Sequence, residues 1–119
     1  MTDFSRLPFG LSENELDKAF RLFLLECETM TSAETAAAVT ELIMRIDYHD
    51  LREDIREGVS KVLIDTWNDE DHDFCDMIAS GLVNMGRQTG KAFLEKKASC
   101  GIPELEALAI DTLREFPRS

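Results

Sequence analysis

Apolar residues recur every three or four positions along almost the whole chain, and no stretch shows the strict alternation of a half-buried strand. The pattern is clear near the N-terminus, where Leu16, Phe20, Phe23 and Cys27 fall on one helical face. A sheet needs a period of two, so this periodicity cannot collect apolar side chains on one face of a sheet. The sequence therefore predicts an all-α protein of about six helices.

Capping residues predict where four of these helices begin. Ser12–Glu15 and Thr31–Glu34 have the spacing of a capping box, in which a hydroxyl and a carboxylate bind the free amides of a helix start. Asp50 is expected to cap the third helix, and Asn68 or Asp69 is expected to cap the fourth. Each start is followed by apolar residues at helical spacing, so each opens an amphipathic helix.

The apolar faces of the predicted helices define a candidate core. The fourth helix is expected to bury Met77 together with its aliphatic and aromatic neighbours, and to place Cys75 at the edge of its apolar face. Ten residues are predicted to form one contiguous core: Phe20, Phe23, Ile43, Ile55, Val62, Phe74, Ile78, Leu82, Leu108 and Leu113.

The spacing of the helix starts indicates three antiparallel hairpins. The first, third and fifth helices are predicted to begin near Ser12, Asp50 and Thr89, which are 38 and 39 residues apart. This is close to the roughly 40-residue period of HEAT-type helical pairs. No residue-level repeat accompanies it, so the hairpins either stack as HEAT-like pairs or close into an irregular helical bundle. A single all-α domain covering residues 1–119 is expected from the length.

The charge of the chain is strongly negative, with 24 acidic residues against 13 basic ones and a formal net charge of −11. Such a surface repels nucleic acid and anionic membranes and favours cationic partners.

The N-terminus lacks a secretion signal, and no stretch approaches the roughly 18 apolar residues of a membrane span. Three cysteines without CxxC spacing are typical of reduced thiols. We therefore expect a cytoplasmic protein that binds neither membranes nor nucleic acid.

Two rows of acidic side chains mark the third and fourth predicted helices. Both have the spacing i, i+3, i+4, i+7, the first in Asp50, Glu53, Asp54 and Glu57, the second in Asp69, His72, Asp73 and Asp76. The segment 47–76 contains 11 acidic and 3 basic residues. Like charges one turn apart destabilise a helix by about 0.2–0.5 kcal/mol per pair. The rows are interpreted as either a solvated face or a binding surface for a cationic partner.

A partner-binding surface is predicted on these two helices and the turns at their ends. Stacked side by side, the helices would present both rows as one negative wall. Tyr48 and Trp67 are aromatic candidates for its less solvated centre. The alternative for both rings is packing on the core, which is the first expectation for Trp67, the only tryptophan, and an equal one for Tyr48. The predicted surface comprises ten residues: Tyr48, Asp50, Glu53, Asp54, Glu57, Trp67, Asp69, Glu70, Asp73 and Asp76.

Catalytic and cofactor motifs are absent from the sequence. It contains no phosphate-binding loop, no HExxH pair and no GxSxG elbow. His72 and Asp76 stand one turn apart beside further carboxylates, which is geometrically compatible with weak divalent-cation binding. A single histidine without the calcium-loop pattern is a common accident on an acidic helix, so no metal is expected. The chain is predicted to be neither an enzyme nor a cofactor-binding protein.

These features favour a small acidic protein that inhibits a basic partner by occluding its active site. The partner would be a toxin domain or an enzyme that handles nucleic acid, and the analogy, in size and charge alone, is with immunity proteins and antitoxins. One alternative is a helical adaptor that binds a peptide helix in a groove between hairpins. Another is a phage-encoded inhibitor of a nucleic-acid-handling host complex. No sequence feature indicates an oligomeric state.

Overall fold

A computed structural model describes residues 3–46 and 51–116, and all regular structure within these ranges is helical. Two short 3-10 helices, Phe4–Arg6 and Cys27–Thr29, flank the first α-helix. The six α-helices are α1 Glu13–Glu26, α2 Ser32–Ile43, α3 Glu53–Asp65, α4 His72–Met85, α5 Gln88–Lys97 and α6 Pro103–Leu113. The predictions of an all-α fold and of six helices are confirmed.

Both predicted capping boxes are present. Ser12 Oγ accepts a hydrogen bond from the Glu15 amide, and Glu15 Oε1 accepts one from the Ser12 amide, each at 3.2 Å. Thr31 and Glu34 repeat this exchange at 3.1 and 3.0 Å. The hydrogen bonds from the capping residues lower the pKa of Glu15 and of Glu34. These local signals were sufficient to locate the starts of α1 and α2.

The third helix begins later than predicted. Its N-cap is Arg52, which makes no side-chain capping hydrogen bond, and its first residue is Glu53. The predicted cap, Asp50, lies in the segment 47–50, outside the described residues. The acidic residues Glu53 and Asp54 occupy the first turn of α3, where negative charge suits the helix dipole.

The predicted cap of the fourth helix is also wrong. Asp71 caps α4 instead of Asn68 or Asp69, with its Oδ1 accepting a hydrogen bond from the Phe74 amide at 3.1 Å. Asn68 and Asp69 belong to the preceding turn, in which the Asn68 side chain accepts a hydrogen bond from the Glu70 amide. Several residues able to cap compete here, and the turn geometry selects the last of them.

The helices pack as three hairpins stacked in two layers. Helices α1, α3 and α5 lie side by side in the first layer, α2, α4 and α6 form the second, and each odd-numbered helix packs on its successor. Arg21 of α1 contacts Asp54 of α3, and Leu24 lies beside Gly58 one turn further along both helices. Neighbours within the first layer therefore run parallel, so the hairpins stack in order within the helical bundle.

Gly81 permits the close approach of the two layers. A Cβ atom at this position would lie 2.9 Å from Cδ1 of Leu63 on α3 and 3.8 Å from Cδ1 of Ile43 on α2. The shorter of these contacts would force a neighbouring side chain to move. The missing side chain thus lets α4 sit against α3 and α2 at once.

One apolar core extends through both layers. Phe20, Phe23, Ile55, Ile78 and Leu82 are fully buried. The remaining predicted core residues are partly buried and pack against that core: Ile43, Val62, Phe74, Leu108 and Leu113.

Two predictions for α4 are wrong. Met77 was expected in the core but is 43% exposed, and Cys75 was expected at the edge but is completely buried. The Cys75 thiol donates a hydrogen bond to the Asn68 carbonyl at 3.0 Å, which orients that face of α4 inward. A small rotation of the helix about its axis accounts for both differences.

Arg45 is a buried cation that attaches the N-terminal segment to the end of α2. Its side chain is 3% exposed, and Nη1 lies 2.8 Å from Oε2 of Glu41. Nε and Nη2 donate hydrogen bonds to the carbonyls of Leu7 and Ser5 at 2.9 and 3.1 Å, and the guanidinium lies 4.4 Å from the centre of the Phe9 ring. The buried charge is thus both paired and hydrogen-bonded.

Candidate protein-binding site

The acidic row of α3 lies on the outer side of the first layer and is paired with basic residues from the helices beside it. Asp54 Oδ2 lies 3.2 Å from Nη2 of Arg21 on α1. On the other side, Arg87, which precedes α5, lies 3.3 Å from Glu57 and 4.0 Å from Glu53. These ion pairs connect the three helices of the layer, so this row serves the stacking of the hairpins.

Glu57 is the most constrained carboxylate of the α3 row. It accepts hydrogen bonds from the Thr89 hydroxyl and from Nε of Arg87. These bonds, that from Thr89 foremost, lower the pKa of Glu57 because they stabilise its charged form. Only 27% of its side chain is exposed, so the prediction that the whole row faces open solvent is wrong at Glu57.

The turn between α3 and α4 holds Trp67 and Asp69 in a partly exposed, hydrogen-bonded cluster. Asp69 Oδ1 accepts hydrogen bonds from Lys97 Nζ at 2.9 Å and from the Trp67 indole at 2.6 Å, which lower the pKa of Asp69. The Trp67 ring meets Phe93 edge to face at a centroid distance of 5.1 Å. The cluster joins the end of α3 to the end of α5.

Asp73 and Asp76 lie on the opposite broad face of the molecule from the α3 row. Both are exposed on the outer side of α4, in the second layer, and neither makes an ion pair or hydrogen bond within the described residues. The two predicted rows therefore do not form one negative wall, because α3 and α4 turn their outer sides in opposite directions. Of the predicted surface, Asp73, Asp76 and Glu70 are the carboxylates that make no ion pair or hydrogen bond within the described residues.

Three residues of the predicted surface remain, namely Glu70, Tyr48 and Asp50. Glu70 is exposed in the α3–α4 turn, at the edge between the layers. Tyr48 and Asp50 lie in the segment 47–50, outside the described residues. Among the described residues, the predicted surface thus divides into a paired row on α3, a hydrogen-bonded cluster in the following turn, and an open pair on α4.

Charge is distributed unequally between the two layers. The second-layer helices contain no Lys or Arg, and their seven acidic residues are Glu34, Glu41, Asp73, Asp76, Glu104, Glu106 and Asp111. The first-layer helices contain nine acidic and seven basic residues, so their charges nearly balance. We call the outer side of α2, α4 and α6 the acidic face. The sequence alone does not predict this asymmetry, because it depends on which helices share a layer.

An apolar groove between α2 and α4 opens on the acidic face. It encloses a cavity of about 140 Å³, lined chiefly by Ala36, Val39, Ile43, Met44, Met77 and Ile78. Met44 and Met77 are 58% and 43% exposed at its sides. Thr40 lies 3.4 Å from the Met77 sulfur and Ile43 lies beside Gly81, so α2 and α4 run parallel along the α2–α4 groove.

Within the described residues, no three histidine, cysteine or acidic side chains are grouped closely enough to hold a metal ion. Exposed carboxylates such as Asp73 and Asp76 lack the enclosed apolar surroundings that would make them general acids. Burial raises the pKa of the Cys75 thiol and of the Cys27 thiol, which disfavours the reactive thiolate form at both positions.

Comparison with protein-family models, with curated proteins and with solved structures finds no significant match to this chain. Among the described residues, no helix has both the length and the apolar composition needed to cross a bilayer. We therefore infer function from the charge, the groove and the packing described above.

Proposed function

We propose that this chain is a small binding protein that inhibits a basic partner protein by covering its active site with the acidic face. The observation that carries the proposal is the absence of Lys and Arg from all three helices of that face, together with their seven acidic residues. Opposite charge accelerates the encounter of two proteins and orients them before contact. An enzyme that handles nucleic acid, or a toxin domain of that kind, has the cationic active site that such a face would cover.

Asp73 and Asp76 are the residues we expect to make the first contacts. They are exposed and have no internal ion pair to break within the described part of the chain. Contact through Glu53, Asp54 or Glu57 would instead compete with Arg21 and Arg87, which already bind that row. The binding surface is therefore proposed on the α4 side of the molecule, with Glu70 at its edge.

Immunity proteins, antitoxins and phage-encoded inhibitors are the functional classes that fit this proposal. The analogy is one of size and charge alone, with the partner neutralised by binding and without a chemical step. We place the protein in the cytoplasm, where its three free cysteines would remain reduced.

A helical adaptor is the second candidate, and the α2–α4 groove specifically favours it. The groove lies between the first and second hairpins, where the sequence predicts a peptide-binding site for this alternative. An adaptor bound mainly through apolar contacts would show little dependence on salt, whereas an inhibitor steered by charge would associate more slowly at high ionic strength.

The experiment that tests the proposal compares two charge reversals on opposite faces. One variant carries Asp73→Lys and Asp76→Lys on α4; the control carries Asp65→Lys and Glu95→Lys on the exposed side of the first layer. Each changes the net charge from −11 to −7, because each Asp or Glu to Lys change adds two units. Immobilised parent protein and variants are incubated with lysate of the native cell, and bound proteins are quantified by mass spectrometry.

We expect a basic protein to be retained by the parent and by the first-layer control, and to be lost by more than about tenfold from the α4 variant. The purified partner should then be inhibited by the parent protein at equal molar amounts. If the α4 variant and the control retain the same proteins to the same extent, the acidic face is only a solvated surface and the proposal fails.

A further inference from the structure

We propose that the α2–α4 groove binds the apolar side of a basic amphipathic helix of the partner. This inference rests on the proposed function, because it assigns to the acidic face the structural element that the face recognises. It predicts apolar partner side chains in the groove and partner Lys or Arg side chains over the neighbouring carboxylates.

The dimensions of the groove match one side of a short helix. Its lining residues extend from Ala36 to Met44 on α2 and from Met77 to Asn84 on α4. At 1.5 Å per residue the first wall is about 12 Å long and the second about 10.5 Å, which is close to two helical turns. Two turns present apolar side chains at positions i, i+3 or i+4, and i+7, the usual anchors of a helix bound in a groove.

The walls of the groove favour a helix over an extended strand. Both walls are helices, whose backbone amides and carbonyls are used in their own hydrogen bonds. An extended segment in the groove would find no free backbone donors or acceptors to pair with, whereas a helix satisfies its own. Met44 and Met77 have unbranched, flexible side chains that can adjust to the shape of the bound helix.

Charge determines which kind of helix binds. Asp73 lies one turn before Met77 on α4, and Asp76 precedes Met77 directly. Helices α2 and α4 contribute no Lys or Arg to either side of the groove. An acidic amphipathic helix would be repelled, and a neutral one would gain no electrostatic attraction, so a basic helix is the occupant that matches both features.

Synthetic peptides can take the place of the partner in a direct binding test of this inference. The probe is a capped peptide of about 18 residues, or five helical turns, made of Leu and Lys with Leu at helical spacing. A second peptide has the same composition in a scrambled order that gives no apolar side, and therefore carries the same charge. Binding of both to the full chain is measured by fluorescence anisotropy at low and at physiological salt.

The decisive variant is Met77→Glu, with Ile110→Glu as its matched control. Both side chains are 43% exposed on the acidic face, but only Met77 lines the groove. Each change adds one negative charge, so binding driven by charge alone would be strengthened by both. Circular dichroism and thermal unfolding check that each variant is folded.

We expect the amphipathic peptide to bind the parent at least about tenfold more tightly than the scrambled peptide. Met77→Glu should remove that difference, and Ile110→Glu should preserve it. Equal binding of the two peptides, tighter binding to Met77→Glu, or no binding of either peptide would overturn the inference.

The failure of the inference is distinguishable from the failure of the proposed function. If the two peptides bind equally, but the Asp73→Lys and Asp76→Lys variant still loses the native partner, the acidic face binds a basic surface of another shape. If that variant keeps the native partner, the proposed function itself fails, whatever the peptides do.

Discussion

The indole Nε1 of Trp67 lies 2.6 Å from Oδ1 of Asp69, and the same oxygen lies 2.9 Å from Nζ of Lys97. One carboxylate oxygen thus holds an aromatic ring at the end of α3 and a cation at the end of α5. Lys97 also lies within 5.7 Å of the Trp67 ring centre, a distance at which a cation and an aromatic ring attract each other. These contacts give the only tryptophan and its acidic neighbour a structural role.

Replacing Asp69 with Asn should destabilise the fold by about 1 kcal/mol. The change removes the charge that binds Lys97 and weakens the hydrogen bond to the indole. Because Asp69 is partly exposed, the loss of stability should lie at the lower end of the range for hydrogen bonds to charged groups. Urea unfolding followed by Trp67 fluorescence measures it directly. Glu70→Gln, one residue away, is the control and should shift the unfolding free energy by less than about 0.5 kcal/mol. Equal stability of the two variants would contradict the role assigned to the cluster.

Replacing Arg45 with Ala should destabilise the protein by about 3 kcal/mol. The change leaves Glu41 without its partner and the carbonyls of Ser5 and Leu7 without a donor in a largely buried setting. Hydrogen exchange should show lost protection in the segment Phe4–Arg6, while α4 remains protected. Arg114→Ala removes an exposed ion pair with Asp111 and should cost less than about 1 kcal/mol.

Stability should fall in acid, partly through Glu57. The pKa of Glu57 is lower in the folded protein than its ordinary value of 4.5, so the ionised group stabilises the fold at pH values above 4.5. That contribution is lost as the pH falls from 4.5 through the lowered folded-state pKa. The Glu57→Gln variant lacks this contribution at every pH, so it should be less stable than the parent at about pH 6 and should approach the parent in acid.

Urea unfolding at a series of pH values between about 6 and 3 tests this dependence. Asp76→Asn serves as the control, because Asp76 makes no hydrogen bond or ion pair within the described residues. A gap between parent and Glu57→Gln that stays constant down to the lowest pH would contradict the assignment.

Replacing Leu82 with Ala should cost about 2–5 kcal/mol, because the side chain is completely buried and its loss leaves a cavity. Leu82 also lies against Gly90 of α5, at 3.1 Å from the position of a Cβ there, so the cavity would open between two helices. Leu25→Ala is the matched control: this side chain is 78% exposed and should contribute less than about 0.5 kcal/mol. Thermal and urea unfolding should agree on the difference.

Local signals in the sequence were sufficient to predict the helices. Which acidic residues are paired and which are open depends instead on contacts between residues that are distant in sequence. The starts of α1 and α2 followed from Ser12 and Thr31, because a capping box is complete within four residues. The contact of Glu57 with Arg87 and Thr89 joins residues about thirty positions apart and depends on how α3 and α5 pack. No spacing rule contains that information. The sequence alone therefore cannot distinguish an acidic row that is paired with neighbouring helices from one that is free to bind a partner.

The position of Asp73 and Asp76 also depends on how the helices pack. Asp73 and Asp76 were predicted to share a surface with the α3 row because the helices follow each other in sequence. In a stacked hairpin, consecutive helices belong to different layers, and alternate helices share a surface. The absence of Lys and Arg from α2, α4 and α6 was visible in the sequence, but only the layer assignment gives it meaning.

The unequal charge of the two layers makes the molecule an electric dipole directed from one layer to the other. A partner with a concentrated positive surface would exert a torque on this dipole while the two proteins are still separated by about one Debye length, roughly 10 Å at 0.1 M salt. The chain would then turn α2, α4 and α6 toward the partner before any side chains touch. The rate of most protein associations is limited by the search for the correct relative orientation. That search would be shorter when α2, α4 and α6 face the partner and longer for every other orientation.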